Sequence, residues 1–247
     1  MSALLAQFRI ECTLTLRNKE SLLLTLGIPV GLLVFFSLVD VLPLDDALPA
    51  GGEAVDLLAP GVLALAIMSM SMTGLAIATG FERSYGVLKR LGTTPLGRPR
   101  LLTAKIAGVV AIELVQAAVL IPVGLALGWR PDLSVLPLVG AVVFGTTAFA
   151  GLGLWMAGTL RAEITLALAN GLYLVFLLLG GFLIPLSEFP GPLRTLAEGL
   201  PGSALTDLVL AAFAGGTAPA RAWLVLTIWA VATPVVAAKT FRWSPES

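Results

Sequence analysis

No histidine occurs in the 247 residues, and the single cysteine is Cys12. The first absence removes the commonest general base, proton shuttle and metal ligand at once. The second excludes an internal disulfide and any cysteine-rich metal site. Lysine is scarce too. The four lysines are Lys19, Lys89, Lys105 and Lys239, and none directly follows a glycine. A phosphate-binding loop requires Gly-x-x-x-x-Gly-Lys-Ser/Thr, so that backbone amides and the lysine cradle the phosphates. The chain lacks that motif and is not expected to bind or hydrolyse ATP. Charged residues make up only 12% and sum to zero. No bulk field therefore argues for nucleic acid as a partner.

What fills the chain is apolar. Hydrophobic residues make up 57% and the mean hydropathy is +0.98, whereas soluble domains are about one-quarter charged. Too few polar residues remain to cover a soluble surface. The expected fold class is an all-α integral membrane protein, one transmembrane domain over residues 1–247. A helix needs about 20 apolar residues to cross the hydrocarbon. Six stretches meet or approach that length: 22–42, 57–80, 106–128, 133–160, 164–186 and 222–238.

The basic residues orient these spans. With the N-terminus inside, the inner segments hold twelve, namely Arg9, Arg17, Lys19, Arg83, Lys89, Arg90, Arg98, Arg100, Lys105, Arg161, Lys239 and Arg242. The outer segments hold three: Arg130, Arg194 and Arg221. The positive-inside rule thus predicts both termini in the cytoplasm of a multi-pass protein of the plasma (inner) membrane. Residues before the first apolar run are mixed in character, and no cleaved signal is expected. Leu4, Phe8, Cys12 and Leu16 recur every four residues. That spacing predicts an amphipathic helix over 3–20 on the inner leaflet, against the plainer reading of a polar leader.

Between the last two spans the chain carries Pro185, Pro190, Pro192 and Pro201 with Glu188, Glu198 and Asp207. Residues 193–199 and 204–214 are helix-prone but too short to cross. The expectation over 187–214 is an outer re-entrant pair of short helices, with an ordinary external loop as the alternative.

One charged island interrupts the apolar chain. Residues 81–105 read FERSYGVLKRLGTTPLGRPRLLTAK and hold six of the fifteen basic residues. A single helix is predicted over 82–91, with Tyr85, Leu88 and Leu91 along one side and Arg83, Lys89 and Arg90 exposed. Gly92 suits its C-terminus, and Thr94-Pro95 reads as an N-cap followed by proline at the first helical position. Positive charge alone needs only to fix topology. It does not explain a helix, a stop and a restart where a tight turn suffices.

The run Glu82-Arg83, Gly86-Val87-Leu88, Leu91, Thr94-Pro95-Leu96, Arg98, Leu101-Leu102 and Lys105 resembles the cytoplasmic segment of type-2 ABC transporter permeases, an exporter family. Gly180-Gly181-Phe182, Ile184-Pro185, Phe189-Pro190 and Leu200-Pro201 resemble that family's fifth span and outer hairpin. With six spans, the similarity covers essentially the whole chain. It implies a cytoplasmic coupling region over 81–100, with Glu82, Arg83, Tyr85, Gly86, Leu88, Lys89, Arg90, Thr94 and Pro95 docking on a separate ABC-class ATP-binding subunit. It also implies two copies of that subunit, a second permease chain in a homodimer or heterodimer, and ATP with Mg held by the partner. The outer hairpin would be shaped by Pro185, Glu188, Pro190, Pro201 and Asp207.

Inside the spans, Glu113 is the sharpest polar outlier, flanked by Ala111-Ile112 and Leu114-Val115. A mid-bilayer charge costs a few kcal/mol on insertion scales. It belongs to a transport path or proton relay, or it lies near the inner interface, paired with a base or hydrated. Asn170, Met68 and Met72 are further pathway candidates, with helix contacts and gap filling as the plainer readings. Gly145, Gly151, Gly153 and Gly158, with Gly74 and Ala78, are read as close-packing positions. The expected function is the permease subunit of an ATP-driven exporter for a hydrophobic or amphipathic substrate: a drug, an antibiotic or a lipid-linked molecule. The rivals are a proton-coupled transporter using Glu113 and a polysaccharide or glycolipid exporter permease. An intramembrane enzyme would need clustered acids at one depth, and Glu113 stands alone.

Overall fold

The computed structural model describes residues 3–17, 19–39, 48, 52–92 and 97–242. Every extended element among them is helical, because a backbone in lipid must satisfy its own polar groups. α1 covers Ala3–Arg17 and α2 Lys19–Leu38. α3 runs Ala54–Ser84, α4 is the short Val87–Gly92, and α5 spans Gly97–Ala126. α6 covers Val135–Thr159 and α7 Ala162–Leu179. α8 (Gly191–Glu198) and α9 (Pro201–Phe213) meet at an 82° bend, and α10 closes the chain over Ala220–Thr240. α3 and α6 each contain a π-helical turn, at Ser69–Gly74 and Ala141–Gly145.

Among the described residues five helices are long and apolar enough to cross a membrane, and the bent pair makes a sixth when taken as one span. These five correspond to the second to sixth expected stretches. The first corresponds to α2, whose apolar part is the shorter Thr25–Leu38. The chain is an all-α, multi-spanning membrane protein. α9 follows the bend as a buried helix, with Pro201 at its start, where a missing N–H costs nothing.

α6 lies at the centre, packed along α10 and α3. Small residues set the spacing. A Cβ on Gly153 would stand 2.6 Å from the Met72 carbonyl, and one on Gly151 would collide with Thr233 of α10. Gly61 faces the backbone carbonyl of Phe182 and likewise has no room for a side chain. Ala78, by contrast, is exposed and contributes no close approach. The core includes Met68, Met72, Phe149, Phe176 and Phe182, with Phe149 and Phe176 edge to face at 5.5 Å. α7 contributes a narrow buried stripe, Ala162, Thr165, Ala169 and Phe176. Leu172 and Leu177 are half-buried against the core, whereas Leu174, Val175 and Leu178 are exposed, as suits a lipid-facing span.

Two ends of the bundle are distinct. At one, Phe241 packs on Leu88 and Leu101, and Lys105 meets Glu11, so α1, α4 and the end of α10 lie together. At the other, the Asp132 and Ser134 amides donate to the Phe213 and Ala212 carbonyls at 2.8 and 2.7 Å. That pairing ties the α5–α6 loop to the end of α9.

Candidate functional site

The elbow between α3 and α5 is built around a buried cation. Lys105, 2% exposed, places Nζ 2.7 Å from Glu82 Oε2 and 3.0 Å from Glu11 Oε1. Gln7, also buried, donates from Nε2 to Glu11 Oε1 at 2.7 Å. One ammonium thus joins α1, α3 and α5. The Gln7–Glu11 side of α1 packs against Gly108 of α5. Phe8 and Cys12 are half-buried, while Leu4 and Leu16 carry no described side chain. Burial and the charge of neighbouring Glu11 push the Cys12 thiol up from its ordinary range.

The island does not form one helix over 82–91. α3 continues through Glu82 and Arg83, the chain turns at Tyr85-Gly86, and α4 begins at Val87. Gly86 has φ +72°, a left-handed conformation that glycine adopts without steric cost. Arg83 is a second correction. It is 5% exposed, and its Nη1 donates to the carbonyls of Ala157 and Leu160 at 3.0 and 2.9 Å. Terminal carbonyls of a helix lack partners of their own, and a cation there is favourable, so Arg83 caps α6. Tyr85 does not share a face with Leu88: its ring is 74% exposed and stacks on Phe81, while Leu88 is fully buried. Lys89 and Arg90 are exposed, and α4 ends at Gly92, both as expected. Thr94 and Pro95 lie outside the described residues.

Glu113 sits at the midpoint of the Arg100–Ala126 span, about 20 Å of helix from either end. No base pairs with it among the described residues. Thr146 Oγ1 donates to its Oε2 at 2.7 Å. The carboxyl lines a cavity of about 390 Å³ bounded by α3, α5, the start of α6 and α9. Met68 and Met72 are buried in the core and do not line it, and Asn170 is exposed on α7, bonded to its own Leu166 carbonyl at 2.8 Å. Of the four pathway candidates only Glu113 lines this cavity.

At the opposite end, Asp207 pairs with Arg221 Nη2, whose Nη1 donates to the Glu198 carbonyl at 2.6 Å. Arg221 thereby clamps the bend between α8 and α9. Pro190 precedes α8, Pro185 precedes a single 3₁₀ turn at Leu186–Glu188, and Ser187 donates to Glu188 at 3.3 Å. Sequence reasoning missed Lys105 as a hub, with Gln7 and Glu11, and missed Gln116 beside Glu113. The three-residue spacing of Glu113 and Gln116 was the available signal, because such residues share a helix face.

The sequence pattern of ABC-2 type transporters matches residues 3–214. The chain belongs to the ABC-2 type transporter family. A transport permease named YvfS, of Bacillus subtilis (strain 168), is 27% identical over 218 residues, covering 85% of this chain and 86% of its own. The daunorubicin resistance ABC transporter permease protein DrrB1 of Streptomyces coeruleorubidus is 30% identical over 152 residues, 58% of this chain and 52% of that protein. ABC-2 membrane proteins are non-catalytic permease subunits, and so is this chain. Membership implies pairing with an ABC-class ATP-binding subunit.

Proposed function

We propose that this permease subunit exports a hydrophobic or amphipathic molecule, driven by two ATP-binding subunits that dock on the elbow. The observation that carries the reading is the exposed surface of α4. Lys89 and Arg90 stand out from it, next to the exposed Tyr85 of the preceding turn, while Leu88 anchors the helix on Leu101 and Phe241. A short helix fixed from behind and polar in front suits a force-receiving contact. The elbow and both ends of the described chain then face the cytoplasm of the plasma membrane. The second permease chain lies against α7, where Asn170 is a mid-span amide exposed on an otherwise apolar face. The apolar cavity, and the substrate class in the name of the DrrB1 relative, favour a drug-like or lipid-linked cargo over a polysaccharide.

The test is co-purification of the chain with an ABC-class ATPase and measurement of vanadate-sensitive ATP hydrolysis. Lys89→Glu with Arg90→Glu should abolish stimulation of the ATPase by the permease while leaving the chain folded. Unchanged stimulation in a monodisperse double variant would remove α4 as the contact. Arg83 is unsuited to this test because it caps α6. A proton-coupled transporter is the second reading, favoured by Glu113 at mid-span. Vesicles holding only this chain, given a pH gradient, separate the two.

A further inference from the structure

We infer that the cavity beside Glu113 is a binding site for an amphipathic amine, a protonated N–H donor carried on an apolar body. Two polar side chains, Glu113 and Gln116, stand in the cavity wall, and each keeps one acceptor there without a partner among the described residues. Glu113 is 6% exposed and Gln116 1%. Glu113 Oε2 and Gln116 Nε2 are engaged, the first by Thr146 at 2.7 Å and the second by the Thr25 carbonyl at 3.1 Å. Glu113 Oε1 and Gln116 Oε1 have no hydrogen-bond partner among the described residues. The two lie three residues apart on α5, one turn along the same face. Every other lining side chain is apolar, among them Ile67, Val142 and Phe213.

The chemistry that completes such a site is specific. A buried acceptor left unmade is costly, and a buried carboxylate more so. A hydroxyl or amide could satisfy one oxygen, but an ammonium also compensates the carboxylate charge and offers several donors. An anion would meet two acceptors and is excluded. The volume of about 390 Å³ falls at the small end of the range for ligand pockets, roughly 300–1,000 Å³. Leu114 and Leu133, both exposed, form part of the lining, so a molecule dissolved in the bilayer can enter sideways. As a step in transport this site rests on the export reading above; as a binding site it does not.

The experiment uses the whole chain in phosphatidylcholine nanodiscs without any ATPase, so its failure leaves the docking proposal standing. Tritiated 2-(1-naphthyl)ethylamine is the probe, with empty nanodiscs as the partition control. Saturable binding at one probe per chain is expected, with 1-propylnaphthalene and 3-(1-naphthyl)propanoate competing at least tenfold more weakly. Glu113→Gln should weaken the amine tenfold or more, and Ala117→Leu, which fills the cavity but keeps the carboxyl, should do the same. Equal competition by 1-propylnaphthalene on the unaltered chain overturns the proposal without recourse to a variant. So does an affinity unchanged in Glu113→Gln, an absence of saturable binding, or a phospholipid retained in native mass spectra that the amine fails to displace.

Discussion

Lys105 carries more of this molecule than its place in a basic loop announces. Its ammonium is nearly sealed from solvent between two carboxylates on different helices. Removing one member of a buried ion cluster strands the others, at a cost of about 3–5 kcal/mol. Lys105→Ala should therefore lower thermal stability sharply, read by size-exclusion profiles after heating in detergent. A variant that melts with the unaltered chain would show that water already screens the cluster. In the sequence Lys105 is one of the six basic residues of the charged island. Its partnership with Glu11, 94 positions earlier, is a property of tertiary packing and leaves no local trace. Arg83 teaches the same lesson, since its acceptors are backbone carbonyls, which no sequence pattern distinguishes.

At the scale of elements, legibility followed hydrophobicity. Long apolar runs revealed α3, α5, α6, α7 and α10, and clustered prolines revealed the paired short helices α8 and α9. Breaks inside polar stretches were harder. Residues 82–91 have helix-forming composition throughout, and only the positive φ at Gly86 exposes the turn. A side chain at that conformation costs about 1–2 kcal/mol. Gly86→Ala is expected to destabilise by that amount and to re-aim α4, lowering ATPase stimulation even when Lys89 and Arg90 are intact. Stimulation at the unaltered level would mean that the direction of α4 does not matter. The π-helical turns were equally hidden, because apolar residues fit either helical geometry. Met68, Met70 and Met72 alternate in sequence, yet Met68 and Met72 are both buried around such a turn.

At the scale of the whole molecule, Asn170 stands out among the described residues as a polar side chain exposed at the middle of an apolar span. Asn170 has no inward-facing role, and an exposed amide in a span is best satisfied against another helix. If two like chains pair there, Asn170→Cys in a Cys12→Ser background should yield an oxidised dimer in membranes treated with copper phenanthroline. A chain that remains monomeric on gels, while a cysteine at exposed Leu224 of α10 cross-links instead, would move the interface to the other flank. The glutamate cavity, by contrast, is formed by four helical segments of a single chain and needs no second copy.

The π-helical turn at Ser69–Gly74 has an arithmetic consequence. Such a turn absorbs one surplus residue while the helix on either side keeps its facing. Met70, only half-buried, is thus a place where the chain can be shortened: its deletion should regularise the coil and leave Glu82 aimed at Lys105. Excising Ala78 instead offers no slack to take up. Everything beyond it would rotate by about 100°, and the carboxylate would swing out of reach of its ammonium.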